Sequence, residues 1–189
     1  MKKKIYFIAI VGMAICFARL NADNARIDVS GTKEGIKITV GAVSEKGSSY
    51  NASWMDAEKN SQYILMQLPV NNEWQQGKFS FTPDKDGKVV IGLMGEWKPK
   101  DPQNPQELIP VWILYDDIVV ENAELKNGGF DGGTENWWLN ETEGAQYVAD
   151  DGHTGKGAVK VWHNAQAFQE IEVKAGKEVT ITFWAKIAK

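Results

Sequence analysis

The sequence has a single cysteine, Cys16, and only two histidines. Its one long apolar run extends from Ile5 to Ala18, and no later stretch keeps a helical period of 3.6 residues. One cysteine excludes an intramolecular disulfide, so core packing must stabilise the fold, with a bound metal as the remaining aid. The lack of helical periodicity excludes a helical bundle.

The N-terminus has the pattern of a secretory signal peptide. Residues 2–4 are lysines that precede the apolar run, and residues 20–22 end in the small Ala22 before a cleavage point. The run is shorter than the roughly 20 residues that span a bilayer. The bulky Ile15 directly before Cys16 disfavours lipid attachment to that cysteine. We therefore predict a bacterial-type exported protein (secreted, periplasmic or at the cell surface), with signal peptide 1–22 and mature chain 23–189.

The predicted mature chain is acidic. The sequence has 21 Lys and Arg and 25 Asp and Glu, and residues 1–22 hold four of the basic residues and no acidic one. The mature chain thus has 17 basic and 25 acidic residues, a net charge of −8. This charge argues against nucleic acid and anionic membranes as partners, because both attract basic surfaces.

Short alternating segments fill the mature chain. Residues 36–40, 78–82 and 179–183 alternate apolar and polar side chains with period two, which is typical of half-buried strands. Turn-forming residues separate such segments, as at 83–87 and 174–177. Many short strands joined by turns predict an all-β antiparallel sandwich or barrel.

Residues 98–110 contain four prolines between two predicted strands. Prolines stiffen a segment and disfavour strand pairing, so we expect a long loop here. Long loops are often functional, and a plain hairpin connection is the alternative.

An ordered set of motifs occupies the second half of the chain. It consists of LKNGGFD at 125–131, NWW at 136–138, DDGHTGKGAVKV at 150–161, FQEI at 168–171 and AGKEVTITFWAK at 175–186. This set resembles the opening half of the carbohydrate-binding modules of families 4, 9, 16 and 22. Those modules are β-sandwich jelly rolls of the galactose-binding-like kind, so the resemblance implies this fold and a sugar-binding function.

The first half resembles the closing half of the same modules, at residues 73–82, 88–92 and 112–120. The two halves therefore stand in reversed order. Either residues 23–189 form one circularly permuted domain, which we favour, or the chain is cut off and another closing half followed Lys189. Termini of compact domains often lie close together and tolerate relocation. Permutation predicts that Val179–Lys186 lies near Ile36–Val43.

The resemblance also implies a structural calcium ion. The implied ligands are Asp131, Asp150 or Asp151, and Asp116 or Asp117. Ca²⁺ binds six to eight oxygen atoms from carboxylates and carbonyls, and glycine-rich loops can bring carbonyls close. The alternative is that these aspartates are ordinary solvated turn residues.

Eight tryptophans, all in the mature chain, supply the candidate binding residues. Sugars present apolar C–H faces and hydroxyl rims, so their sites combine an aromatic platform with polar hydrogen-bonding groups. Strand alternation places Trp162 and Trp184 on outer faces, whereas the others chosen lie in loops. Burial in the core is the alternative for each. The predicted carbohydrate-binding residues are Trp54, Trp97, Trp137, Trp138, Trp162, Trp184, Asn164, Gln166 and Gln169.

The sequence offers no catalytic constellation that we would defend. His153 and His163 have no Ser or Cys nucleophile in context, and Glu170 and Glu172 lie two apart on one predicted strand rather than across a cleft. We predict a non-catalytic exported protein that binds a poly- or oligosaccharide and is not an integral membrane protein. The alternative is a surface structural or protein-adhesion module of the same fold.

Overall fold

The computed structural model describes residues 23–32, 36–37, 49–56 and 61–189, and side-chain burial for 23–31 and 64–189. Residues 1–22, with the predicted signal peptide and Cys16, lie outside the described residues. Apart from strands, the described part has one short 3₁₀ turn, Glu141–Glu143. None of its helices is long and apolar enough to cross a membrane.

The described strands form two six-stranded antiparallel sheets and a hairpin, numbered here along the chain. In spatial order the first sheet contains β10 (Trp138–Leu139), β13 (Ala167–Val173), β6 (Gly87–Gly95), β1 (Asn24–Thr32), β4 (Ser61–Pro69) and β3 (Ser49–Asp56). The second contains β11 (Gln146–Ala149), β12 (Gly157–Val161), β9 (Ile113–Glu121), β14 (Val179–Ile187), β5 (Gln75–Pro83) and β2 (Ile36–Lys37). The hairpin pairs β7 (Pro99–Asp101) with β8 (Asn104–Leu108).

The core lies between the two sheets, where their apolar faces meet. Along β14 every second residue from Val179 to Ala185 is buried, as the alternation predicted. Phe79 and Phe81 of β5 and Ile91 and Leu93 of β6 join the same apolar cluster. Period-two side chains give each strand one core face and one outer face. The prediction of an all-β antiparallel sandwich is confirmed.

Strands from the two halves of the chain interleave in both sheets. β13 pairs with β6, and β14 lies between β9 and β5. β14 and the described part of the Ile36–Val43 segment, β2, flank the same strand β5. Residues 38–43 lie outside the described residues. A single permuted domain agrees with this arrangement and stays a prediction.

Two local predictions are wrong. Residues 98–110 form the β7–β8 hairpin, which includes Pro99 and Pro105, rather than a strand-free loop. A two-stranded hairpin consists of edge strands, where proline is tolerated. Trp54 lies in β3 and not in a polar loop, and its side chain is outside the described part.

A buried hydroxyl connects the two sheets. Tyr115 of β9 is fully buried, and its hydroxyl donates towards the backbone carbonyls of Arg26 at 2.8 Å and Met94 at 2.7 Å. Burial raises the pKa of Tyr115. Arg26 and Met94 are direct partners in β1 and β6. The contact therefore ties these two strands to the opposite sheet at one point.

Candidate functional site

Two aromatic rings form an exposed surface on the outside of the first sheet. Trp138 and Phe168 are direct partners on β10 and β13, with ring centroids 5.4 Å apart and planes inclined by 28°. Trp138 is 59% exposed, and Phe168 is partly exposed. Phe168 also lies opposite Gly92 of β6, where a β-carbon would stand 2.9 Å from Cε1 of Phe168. The missing side chain lets the ring lie over β6, and we call Trp138, Phe168 and Gly92 the outer aromatic surface.

Two charged residues of β1 lie beside this surface. Asp28 is the partner of Gly92 on the side away from Phe168, and Arg26 shares its outward direction two residues earlier. Arg26 is only 7% exposed. Its Nε and the Oδ1 of Asp28 are buried and have no hydrogen-bond partner among the described residues. Because buried polar atoms are normally hydrogen-bonded, this unpaired donor and acceptor make the burial of Arg26 and Asp28 costly.

Burial is the main cause of the pKa shifts of Arg26 and Asp28. Burial raises the pKa of Asp28 to about 6, although the nearby Arg26 opposes the shift. Burial lowers the pKa of Arg26, against the effect of the Asp28 charge. Burial and then Arg26 lower the pKa of His163, whose Nδ1 lies 3.3 Å from Nη1 of Arg26. Near neutral pH the site therefore presents a carboxylate, a guanidinium and a neutral imidazole.

A second stacked pair borders the same face. Trp97 is 51% exposed and stacks on His163, with ring centroids 6.1 Å apart and planes inclined by 23°. Nε2 of Gln166 donates to the backbone carbonyl of His163 at 2.7 Å and lies 4.0 Å from Sδ of Met94, the partner of Arg26. Asn164 is exposed in the same turn. The structure thus places the predicted Trp97, Asn164 and Gln166 around His163 at this edge.

Three predicted binding residues are instead structural. Trp137 is 7% exposed and Trp162 is 8% exposed, and their indole N–H groups donate to the carbonyls of Asn127 and Glu143 at 3.0 Å. Gln169 is 7% exposed, and its amide bonds both the N–H and the carbonyl of Lys126. The prediction that these side chains face a ligand is wrong, because loop backbone has closed over each of them.

Trp184 lies on the outer face of the second sheet, away from the outer aromatic surface. The ring of His153 stacks on it, with centroids 3.8 Å apart, and Trp74 meets the edge of His153 at 5.7 Å. Nδ1 of His153 lies 2.6 Å from Oδ2 of Asp117. His153 therefore covers the Trp184 face that a sugar would need.

The loop that carries His153 also approaches three of the predicted calcium ligands. The carboxylate of Asp116 accepts from the N–H groups of Asp117 at 2.7 Å and His153 at 2.6 Å. Burial raises the pKa of Asp116, with smaller contributions from the charges of Asp117 and Asp131. A β-carbon on Gly129 would lie 3.6 Å from Oδ2 of Asp131 and 4.0 Å from Oδ1 of Asp117. Asp116, Asp117 and Asp131 are therefore neighbours.

The other two predicted ligands do not join them. Asp151 pairs with Lys186, and Asp150 is an exposed residue with a φ of 63°. Within the described residues no group of three or more His, Cys, Asp or Glu is placed to hold a metal ion. Carboxylates beside a glycine-rich loop fit the oxygen chemistry of Ca²⁺, but backbone carbonyls would have to supply most of its shell.

One comparison with known families bears on this arrangement. Residues 122–189 match the family model of the carbohydrate binding domain. The resemblance drawn from the motifs is thereby confirmed for this part of the chain, and the match supports sugar binding. No curated protein and no solved structure matches the chain.

The carbohydrate binding domain match covers one side of the outer aromatic surface. Trp138 and Phe168 lie within it, whereas Gly92, Arg26 and Asp28 lie outside. Sequence reasoning missed Phe168, Gly92, Arg26 and Asp28. A signal was present for the last two, because Arg26 and Asp28 alternate with the apolar Ala25, Ile27 and Val29 in the pattern of a strand.

Proposed function

We propose that the protein is an exported, non-catalytic carbohydrate-binding protein whose glycan lies on the outer aromatic surface. The observation that carries the proposal is the stack of Trp138, 59% exposed, on Phe168 above Gly92. An exposed indole supported by a second ring offers a flat apolar face to the C–H side of a pyranose. Its position within the carbohydrate binding domain match supports the same conclusion.

The polar groups around the rings would orient the sugar. A sugar hydroxyl both donates and accepts, so it can pair with the amide of the exposed Asn164 or of the partly exposed Gln166. The amides of Gln166 and Asn164 and the exposed ring of Trp97 extend the surface along the same edge. A surface with two aromatic pairs suits an oligosaccharide or a polysaccharide chain better than a single sugar unit.

Export and calcium belong to the same proposal. The basic and apolar pattern of residues 1–22 directs the chain out of the cytoplasm. Calcium would be held by Asp117 and Asp131 with loop carbonyls, and Asp116 would hold the loop through the N–H of His153. The ion would compensate the charges of Asp117 and Asp131, both of which act on Asp116.

The test is a glycan array with residues 23–189, followed by calorimetry on the glycan that binds best. Trp138→Ala should lower the affinity by about tenfold or more, because a stacked aromatic contributes on the order of 1.4 kcal/mol or more. Val119→Ala is the matched control, because Val119 is 55% exposed on the second sheet. Both variants should keep the unfolding free energy of the parent.

Two results would contradict the proposal. One is a Trp138→Ala protein that binds the glycan as tightly as the parent. The other is a folded parent that binds no glycan, which would favour the structural or adhesion module.

A further inference from the structure

The second sheet carries a groove that the proposed function does not use. Its volume is about 380 Å³, within the range of about 300 to 1,000 Å³ that small-molecule sites occupy. Leu114 of β9, Gln146 and Tyr147 of β11, and Lys160 of β12 line it, together with Asp151 and Lys189. It lies on the opposite side of the sandwich from the outer aromatic surface.

Lys160 places a positive charge in this groove. Its Nζ lies 5.1 Å from the centre of the Trp112 ring, and within the described residues no carboxylate forms an ion pair with it. A cation above an indole is held in place while its remaining N–H donors stay free for a ligand. Lys160 is thus a positioned ammonium group without an acidic partner in the described structure.

The acidic residue in the groove is already compensated. Asp151 forms an ion pair with Lys186, whose side chain is only 16% exposed. The ammonium group of Lys160 therefore leaves a positive charge here. The predicted mature chain carries 17 basic against 25 acidic residues, so a positive groove departs from the charge of the rest of the surface.

Neighbouring side chains add hydrogen-bonding and apolar contacts. Gln146 is the direct partner of Lys160 on one side, and the buried Leu114 is its partner on the other. An ammonium and an amide side by side above an apolar floor suit a ligand with a carboxylate, hydroxyls and an apolar ring face. A uronic acid has all three.

We propose that this groove binds the carboxylate of a uronic acid unit, as a second glycan site on the protein. The sugar part of the inference rests on the proposed function, whereas the carboxylate part rests on Lys160. The two sites would let one molecule contact a neutral and an acidic segment of glycan on opposite faces.

The probes are trigalacturonate and its methyl ester, in which each carboxylate is replaced by a neutral ester. Amide NMR shifts caused by trigalacturonate should fall on residues 146–149 and 160, and raising the salt concentration should weaken the binding. Lys160→Gln should weaken it by about tenfold, the usual worth of a charged hydrogen bond. The methyl ester should bind parent and variant equally weakly. Lys177→Gln, which removes an exposed lysine from a turn, should bind like the parent.

Trp138→Ala separates the two proposals. It should leave the trigalacturonate shifts in the groove unchanged even though it weakens glycan binding at the outer aromatic surface. Shifts centred on Trp138 and Phe168, no shifts at all, or equal affinity of Lys160→Gln and the parent would each overturn the groove site. Loss of groove binding in Trp138→Ala would do so as well, because it would show one site rather than two.

Discussion

The ring of Phe168 occupies the space that a side chain on Gly92 would fill, since a β-carbon there would stand 2.9 Å from Cε1 and 3.1 Å from Cδ1 of that ring. A separation below 3.0 Å is not tolerated, so one of the two must move. The partly exposed ring is free to move outward, whereas the paired β6 backbone is not.

Gly92→Ala should therefore tilt Phe168 and lower glycan affinity by several-fold. Stability should change by less than about 1 kcal/mol, because alanine loses less backbone freedom than glycine on folding and offsets the strain. Calorimetry and urea unfolding measure the two effects. Gly132→Ala, where nothing lies within 4 Å of the added carbon, is the control. Unchanged glycan affinity in Gly92→Ala would show that the position of the Phe168 ring does not contribute to glycan binding.

Trp162→Ala should destabilise the fold by about 3 to 5 kcal/mol, the cost of emptying a buried aromatic site. Trp162 is 8% exposed and donates to the carbonyl of Glu143. Trp97→Ala should cost less than about 1 kcal/mol, because Trp97 is 51% exposed. Urea denaturation of both variants checks this, and equal losses would mean that burial does not separate the two tryptophans.

Asp28 should make stability fall as the pH rises. Its pKa is raised from 3.8 to about 6 by burial, so between these values the folded state binds more protons than the unfolded state. The stability from this group is complete below pH 3.8 and is lost as the pH rises through about 6. Between those limits the unfolding free energy of the parent should fall by up to about 3 kcal/mol relative to Asp28→Asn.

The measurement is urea unfolding of parent and Asp28→Asn at several pH values. Asp84→Asn, which removes a carboxylate from an exposed turn, is the control variant. If the difference in unfolding free energy between the parent and Asp28→Asn does not change with pH, the pKa of Asp28 is the same in the folded and unfolded states.

Calcium should raise the melting temperature of the parent protein. Binding to the folded state alone adds about 3 kcal/mol at a hundredfold excess over Kd. Asp131→Asn should lose most of this gain, whereas Asp150→Asn should keep it, because Asp131 approaches Asp117 and Asp150 is an exposed turn residue. A melting temperature indifferent to chelator in the parent would exclude the site.

Strand positions were predictable from the sequence wherever one face is apolar. The alternation in residues 179–183 identified β14 and correctly assigned Trp184 to its outer face. The same alternation assigned Trp162 to an outer face, yet the segment around Glu143 covers it. Alternation predicts which face of the sheet a side chain lies on. Whether that face is exposed to solvent depends on loops that are distant in sequence.

The positions of Asp28 and Gly92 in the candidate site were harder to predict from the sequence. Asp28 meets Gly92, and Gly92 meets Phe168, only through strand pairings between distant segments. No local pattern specifies which strands become neighbours in a sheet. Trp138 was chosen from its own surroundings, two tryptophans in a turn-rich segment, although it lies in the short strand β10 and not in the expected loop.

The central position of β14 sets the order in which the chain can fold. It is the last of the described strands to leave the ribosome, yet it fills the gap between β9 and β5. Until residues 179–187 emerge, these two strands have no common neighbour, and the backbone edges that face each other stay unpaired. Contacts between distant segments form slowly because the intervening chain must first be brought together. The second sheet can therefore close only after residues 179–187 have been made, so the pairing of β9 and β5 with β14 is a late step of folding.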